Sequence, residues 1–235
     1  MTYYEEYKNR KKETEYFLKI INMYERNLFN DNFTNPYTIE NLTFADYLKI
    51  IKSSLVLMLY NLMESSISLF LQYTSEEFNR ENLTYQDTCE EIRNLYLEKL
   101  TQNCFNKTAS YQTYEKAIKK ISQEIVENIV LQLDKKVFDI SGNIDGEYIN
   151  EISNRLGLNF TSSSKGMHKT SDLYIGQIKN DRNKLAHGEE SFLVKGQNYT
   201  SNDLKKYFDE ICIIFDELWI CFDNYVRTKR YKKSI

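Results

Sequence analysis

Within residues 178–192, IKNDRNKLAHGEESF, a guanidinium, an amide and an imidazole fall inside six positions: Arg182, Asn183 and His187, followed by Gly188. The chain has two histidines, and His187 is one of them. Helical residues step by roughly 100° around the axis, so Asn183 and His187, at i and i+4, share one face. Arg182 starts on the neighbouring strip, and its long side chain reaches past the turn toward the same patch. An imidazole, with a reference pKa of about 6.5, moves protons near neutral pH. A guanidinium keeps its charge and presents a donor fork matched to phosphate oxygens. The trio therefore suits cleavage of a phosphodiester beside a ribose 2′-OH. The imidazole would handle the proton on the attacking or leaving oxygen, and the guanidinium would offset charge on the phosphoryl group. Taken alone, the spacing describes a helix end at least as well. His and Arg in a last turn, with Gly just beyond, are common capping chemistry.

The elements that must position these residues read as helices. Residues 3–29 carry Tyr7, Phe17, Ile20, Ile21, Met23, Tyr24 and Leu28 at helical spacings among charged neighbours. Residues 30–36, with the chain's single proline, break that pattern. Thr43, with Asp46 three residues on, caps a second helix that is the most apolar element and is expected to run to about Tyr73. Residues 85–105 and 111–133 read as two more, the latter carrying Tyr114, Ile118, Ile121, Ile125, Ile129 and Leu133. A turn at 141–145 precedes a short helix, 147–156, ending at Gly157. Residues 161–170, TSSSKGMHKT, form a polar loop holding His168. The helix bearing the trio starts near Ser171 and Asp172, with Leu173, Ile175, Ile178 and Leu185 as its apolar positions. Residues 192–200 read as a small hairpin. Ser201 then caps a long last helix with Leu204, Tyr207, Phe208, Ile211, Phe215, Leu218, Trp219 and Phe222 in register.

Several of these stretches resemble one family. Arg182 to His187 matches the R-x4–6-H signature of the HEPN superfamily, a polar residue following the arginine. The run 59–65, LYNLMES, resembles the bacterial MAE-type branch of HEPN domains. So do Gly142-Asn143-Ile144-Asp145 with Ile149 and the Leu156-Gly157-Leu158 turn, and RNKLAHGEESF followed by Gly196 and Tyr199-Thr200. The resemblance covers roughly residues 40–230. It implies an all-α antiparallel helical bundle with a short loop or hairpin insertion before the last helix, a single domain over 1–235, with 1–40 as an N-terminal extension and 41–230 as the core. It also implies a metal-independent endoribonuclease with Arg182, Asn183 and His187 at the site. Asn183 would orient His187 or the scissile phosphate. Glu64, with Asn61 one turn back, would support them, although a Glu at a helix edge facing solvent explains its place without any function. Relatives usually set two motif copies against each other, so a homodimer is expected, with RNA such as tRNA or mRNA as substrate. The biology implied is that of a toxin or phage-defence effector, held silent by a partner protein.

Composition excludes other classes. With 31 basic and 34 acidic residues the formal charge is −3, which argues against a broad basic coat for nucleic acid. Lys116, Lys119 and Lys120 beside Tyr111 and Tyr114, and the basic tail from Arg227 to Lys233, are local patches that RNA or plain solvation would explain. The turn and short helix at 141–156 lack the basic surface of a DNA-reading helix-turn-helix. The four cysteines have no C-x-x-C spacing, so no metal site and no cofactor is expected, and free thiols fit a reducing cytoplasm. The charged N-terminus has no apolar leader, and the longest apolar run, 55–63, is about half the ~20 residues a membrane span needs. Phosphate-cradling glycine loops and serine-nucleophile motifs are missing. Two rival readings stay open: a HEPN-fold module that binds RNA, nucleotide or protein without cutting, and a helical adaptor in which the motif is only a cap.

Overall fold

The structure is a computed structural model, described for residues 2–27, 43–105, 110–138, 144–160 and 169–233. It is all-α, and no named strand occurs among the described residues. The helices are α1 (Tyr3–Asn27), α2 (Phe44–Arg80), α3 (Glu90–Thr101), α4 (Tyr111–Val126), α5 (Gly146–Leu156), α6 (Lys169–Ala186), α7 (Phe192–Gly196) and α8 (Ser201–Arg227). The expected break at 30–36, part of the 141–145 turn and residues 161–168 of the polar loop, His168 included, lie outside the described residues, while Lys169 and Thr170, expected in that loop, begin α6.

The chain forms two compact units: Met1–Ile67 with Ser141–Ile149 and Ser162–Glu217, and Ser68–Ile140 with Asn150–Thr161 and Leu218–Ile235. In the first, the core is built from Tyr7, Ile21, Leu55, Leu59, Tyr60, Met63, Ile175, Ile178, Ile211 and Phe215, all fully buried. Each such side chain contributes about 1.5–3 kcal/mol on leaving water. α2 starts with a reciprocal cap, Thr43 N–H donating to Asp46 Oδ2 at 3.1 Å and Asp46 N–H to Thr43 Oγ1 at 3.2 Å. It is long and apolar enough to span a membrane, but 61% of its most apolar window is buried within the protein, as in a core helix.

In the second unit, Phe70 packs on Trp219 and Phe222, with ring centroids 5.2 and 5.7 Å apart. α4 buries none of its residues. It ends at Val126 because Asn128 turns left-handed (φ 51°), and Val130 and Leu131 pair instead with Thr84 and Leu83. Lys119 and Lys120 pair with Glu115 and Glu124 one turn away, as a solvated face does. The basic tail is folded down rather than frayed. Arg227 pairs with Asp223 at 2.8 Å, Lys229 and Lys232 both with Glu81 at 2.6 Å, and Tyr231 is buried. Arg230 Nη2 donates to the Gly157 carbonyl at 2.6 Å.

Two expectations near the trio are corrected. Residues 192–200 are not a hairpin but the helix α7 and a turn, because Ser191 Oγ accepts the Val194 N–H at 3.2 Å and nucleates a helical turn. The last helix is capped by Thr200, not Ser201: Thr200 N–H donates to Asp203 Oδ2 at 3.0 Å and Asp203 N–H returns to Thr200 Oγ1 at 3.1 Å. α7 rests directly on α2. Ser53 Oγ donates to the Phe192 carbonyl at 2.6 Å, and a Cβ added to Gly196 would sit 1.8 Å from the Lys49 carbonyl oxygen. Gly196→Ala is therefore expected to lower unfolding free energy by about 1–3 kcal/mol or more, read by urea denaturation, since backbone must move to admit one methyl group.

Candidate functional site

α6 carries the trio on a helix held by Ile175 and Ile178, both fully buried, and by Leu185. It begins at Lys169, two residues before the expected cap, and Leu173, expected in the core, is 69% exposed. Its end is a Schellman turn: Gly188 N–H reaches the Leu185 carbonyl at 3.3 Å and Glu189 N–H the Lys184 carbonyl at 2.9 Å. Gly188 supplies the left-handed residue this turn requires, with φ +71°. The capping chemistry thus occurs, and its effect is to fix where His187 sits. His187 closes the last turn through its N–H to the Asn183 carbonyl at 2.9 Å, and its side chain is exposed.

Arg182 is half-buried, and its guanidinium lies over the ring of Tyr60, 4.6 Å from the centroid. Nη1 donates to Asn183 Oδ1 at 3.0 Å. Asn183 is thereby tied to Arg182 rather than to the imidazole. Tyr60 is fully buried on α2, and its hydroxyl accepts the Ile144 N–H at 3.1 Å. Burial pushes the Tyr60 hydroxyl pKa up, with the Glu64 charge adding to the rise, while the Ile144 bond, Arg182 and Lys179 oppose it. Glu64 is half-buried, close enough to act on Tyr60, and makes no ion pair among the described residues. Asn61 is exposed and is not hydrogen-bonded to the trio.

The neighbouring cations are neutralised. Lys179 pairs with Asp145 at 2.5 Å, Lys184 with Glu190 at 2.8 Å, and Lys195 with Asp181 at 2.7 Å and Glu190 at 2.8 Å. Arg182 has no carboxylate partner among the described residues. A half-buried guanidinium in contact with a π face and an amide, with no ion pair among the described residues, has the charge and donors that an anion could meet.

Sequence reasoning passed over Asp181. It is buried, and accepts hydrogen bonds from Lys195 Nζ, from the Tyr199 hydroxyl and from Gln177 Nε2, the first at 2.7 Å and the last at 2.9 Å. Burial opposes charge on Lys195, but its bonds to Asp181 and Glu190 outweigh that and leave its pKa raised. Burial, then the bond to Asp181, raises the Tyr199 hydroxyl pKa. The network ties α7 and the turn after it to α6, one residue from Arg182. A signal was present: Asp181 stands three residues after Ile178 and four before Leu185, on the apolar stripe, where a carboxylate needs partners.

Among the described residues no cluster of three or more His, Cys, Asp or Glu could hold a metal ion, and the four cysteines form no disulfide. A family model described as HEPN_MAE_28990-like HEPN matches residues 3–231, taking in α1 as well as the later helices. No curated protein and no solved structure matches the chain.

Proposed function

The chain belongs to the HEPN_MAE_28990-like HEPN family, and from that premise we propose that it is an endoribonuclease that cuts RNA without a metal ion. Family membership supports a nucleotide- or RNA-directed role. The observation that carries the finer reading is the pairing of an uncompensated guanidinium, Arg182, with an exposed imidazole, His187, five residues on. In this reading the ribose 2′-oxygen attacks phosphorus and loses its proton as the P–O5′ bond breaks. The 5′-oxygen leaves with a proton, giving a 2′,3′-cyclic phosphate and a 5′-hydroxyl. His187 takes or supplies one of those protons, and Arg182 binds the non-bridging oxygens as charge builds on them. Asn183 holds Arg182 in place, and Glu64 supports the site from α2. The chain holds one copy of the motif, so a homodimer with facing motifs would supply both proton-handling groups. A cytoplasmic toxin or defence role, restrained by a partner protein, follows from the same family reading.

The test is cleavage of a mixed RNA pool by the purified full chain in EDTA, with the ends analysed for cyclic phosphate. Arg182→Lys keeps the charge but loses the bidentate fork, so it is expected to cut about 10²–10³-fold more slowly while remaining folded. Cleavage that stops in EDTA, or an Arg182→Lys variant as active as the wild type, would overturn the reading. RNA binding without any cleavage would favour the non-catalytic module instead.

A further inference from the structure

The guanidinium of Arg182 has three parts, and the structure accounts for two of them. One face lies over Tyr60, and Nη1 is engaged by Asn183 Oδ1. The Nε–Nη2 edge has no hydrogen-bond partner among the described residues. That edge carries two parallel N–H donors, the geometry that meets two oxygens of one phosphate at once.

Tyr60 is unusually well fixed for this task. Its side chain has no exposed surface, and its hydroxyl is pinned to the Ile144 N–H at the start of the α5 segment. The next residue, Asp145, caps α5 through the Tyr148 N–H at 2.9 Å and binds Lys179, one turn before Arg182 on α6. The same short stretch therefore fixes the ring under Arg182 and removes the competing charge of Lys179. We infer that Tyr60 is the positioning residue for Arg182: its ring sets the plane of the guanidinium so that the Nε–Nη2 edge seats the two non-bridging oxygens of a phosphodiester. This rests on the reading of Arg182 as a phosphate ligand.

The first readout needs no variant of Tyr60. In the full-length wild-type protein the Arg182 Nε–Hε resonance, assigned by its loss in Arg182→Lys, is expected upfield from the ring current of Tyr60. Titration with inorganic phosphate should then shift it downfield, as Nε–Hε donates to a phosphate oxygen. A resonance at the ordinary arginine position overturns the inference. The second readout is single-turnover RNA cleavage. Tyr60→Phe keeps the ring and is expected to keep most of the activity, although it loses the bond to Ile144. Tyr60→Leu, checked for fold by circular dichroism, removes the stacking and is expected to cut about 10- to 30-fold more slowly. In an Arg182→Ala background Tyr60→Leu should cost nothing further, which a merely structural role would not produce. Equal losses in both backgrounds, or full activity in a folded Tyr60→Leu protein, overturn the inference while leaving the endoribonuclease reading intact. A ring-shifted Arg182 signal that responds to phosphate in a protein that cuts no RNA does the reverse.

Discussion

His187→Ala is expected to slow RNA cleavage by about 10²–10⁴-fold, the usual worth of a positioned proton-transfer group. The melting temperature should hardly change. The imidazole is exposed and forms no hydrogen bond to Arg182 or Asn183, and exposed side chains of this kind contribute within about ±0.5 kcal/mol to stability. The helix end is closed by backbone bonds and Gly188, not by the ring. Activity and stability are therefore separable at this position. The measurement is single-turnover cleavage in EDTA beside a thermal scan. A folded His187→Ala protein that cuts at the wild-type rate would assign the motif to helix capping alone.

Asp181→Ala should have the largest effect on stability, about 3–5 kcal/mol, or roughly 6–20 °C in melting temperature for a domain of this size. The loss comes less from the attraction removed than from what is left behind. Lys195, 5% exposed, would keep a second carboxylate in Glu190, but the Tyr199 hydroxyl would lose its acceptor in the interior. Replacing Lys195 by Met in the same chain should recover part of the loss, because a buried ion pair exchanged for apolar volume is often neutral. Additive losses in the double variant would refute a coupled network.

Much of this arrangement could be read from residue order, and the failures have identifiable causes. The apolar spacing of α2 and α8 places most of their cores, with Leu55, Leu59, Leu62, Leu204, Ile211, Phe215 and Phe222 all buried, but Tyr47, expected on the same face of α2, is 48% exposed. The spacing predicts an end for α2 at about Tyr73, seven residues short of Arg80, because the apolar run thins there although Phe78 is still buried. The spacing predicts a longer α4 than the helix that forms, which ends at Val126. Ile129 and Leu133 keep the helical step, yet the left-handed Asn128 has already redirected the chain. The stretch 192–200 reads as a hairpin because Phe192, Leu193 and Val194 favour extended structure locally, while Ser191 and the seat on α2 decide otherwise. At the site, the motif named Arg182, Asn183 and His187. It could not name Tyr60, which is more than a hundred residues away and reaches Arg182 only once α2 and α6 are packed.

The folded C-terminal tail has one further consequence. Three of its five cations, Arg227, Lys229 and Lys232, are held by Asp223 and Glu81, in a chain whose net charge is −3. Long-range attraction between this tail and a polyanion is therefore weakened, and the association rate constant is expected toward the unsteered range of about 10⁵–10⁶ M⁻¹s⁻¹. In the proposed reaction, discrimination between RNAs would then rest mainly on short-range fit around Arg182, and ionic strength would have less leverage over the speed of capture.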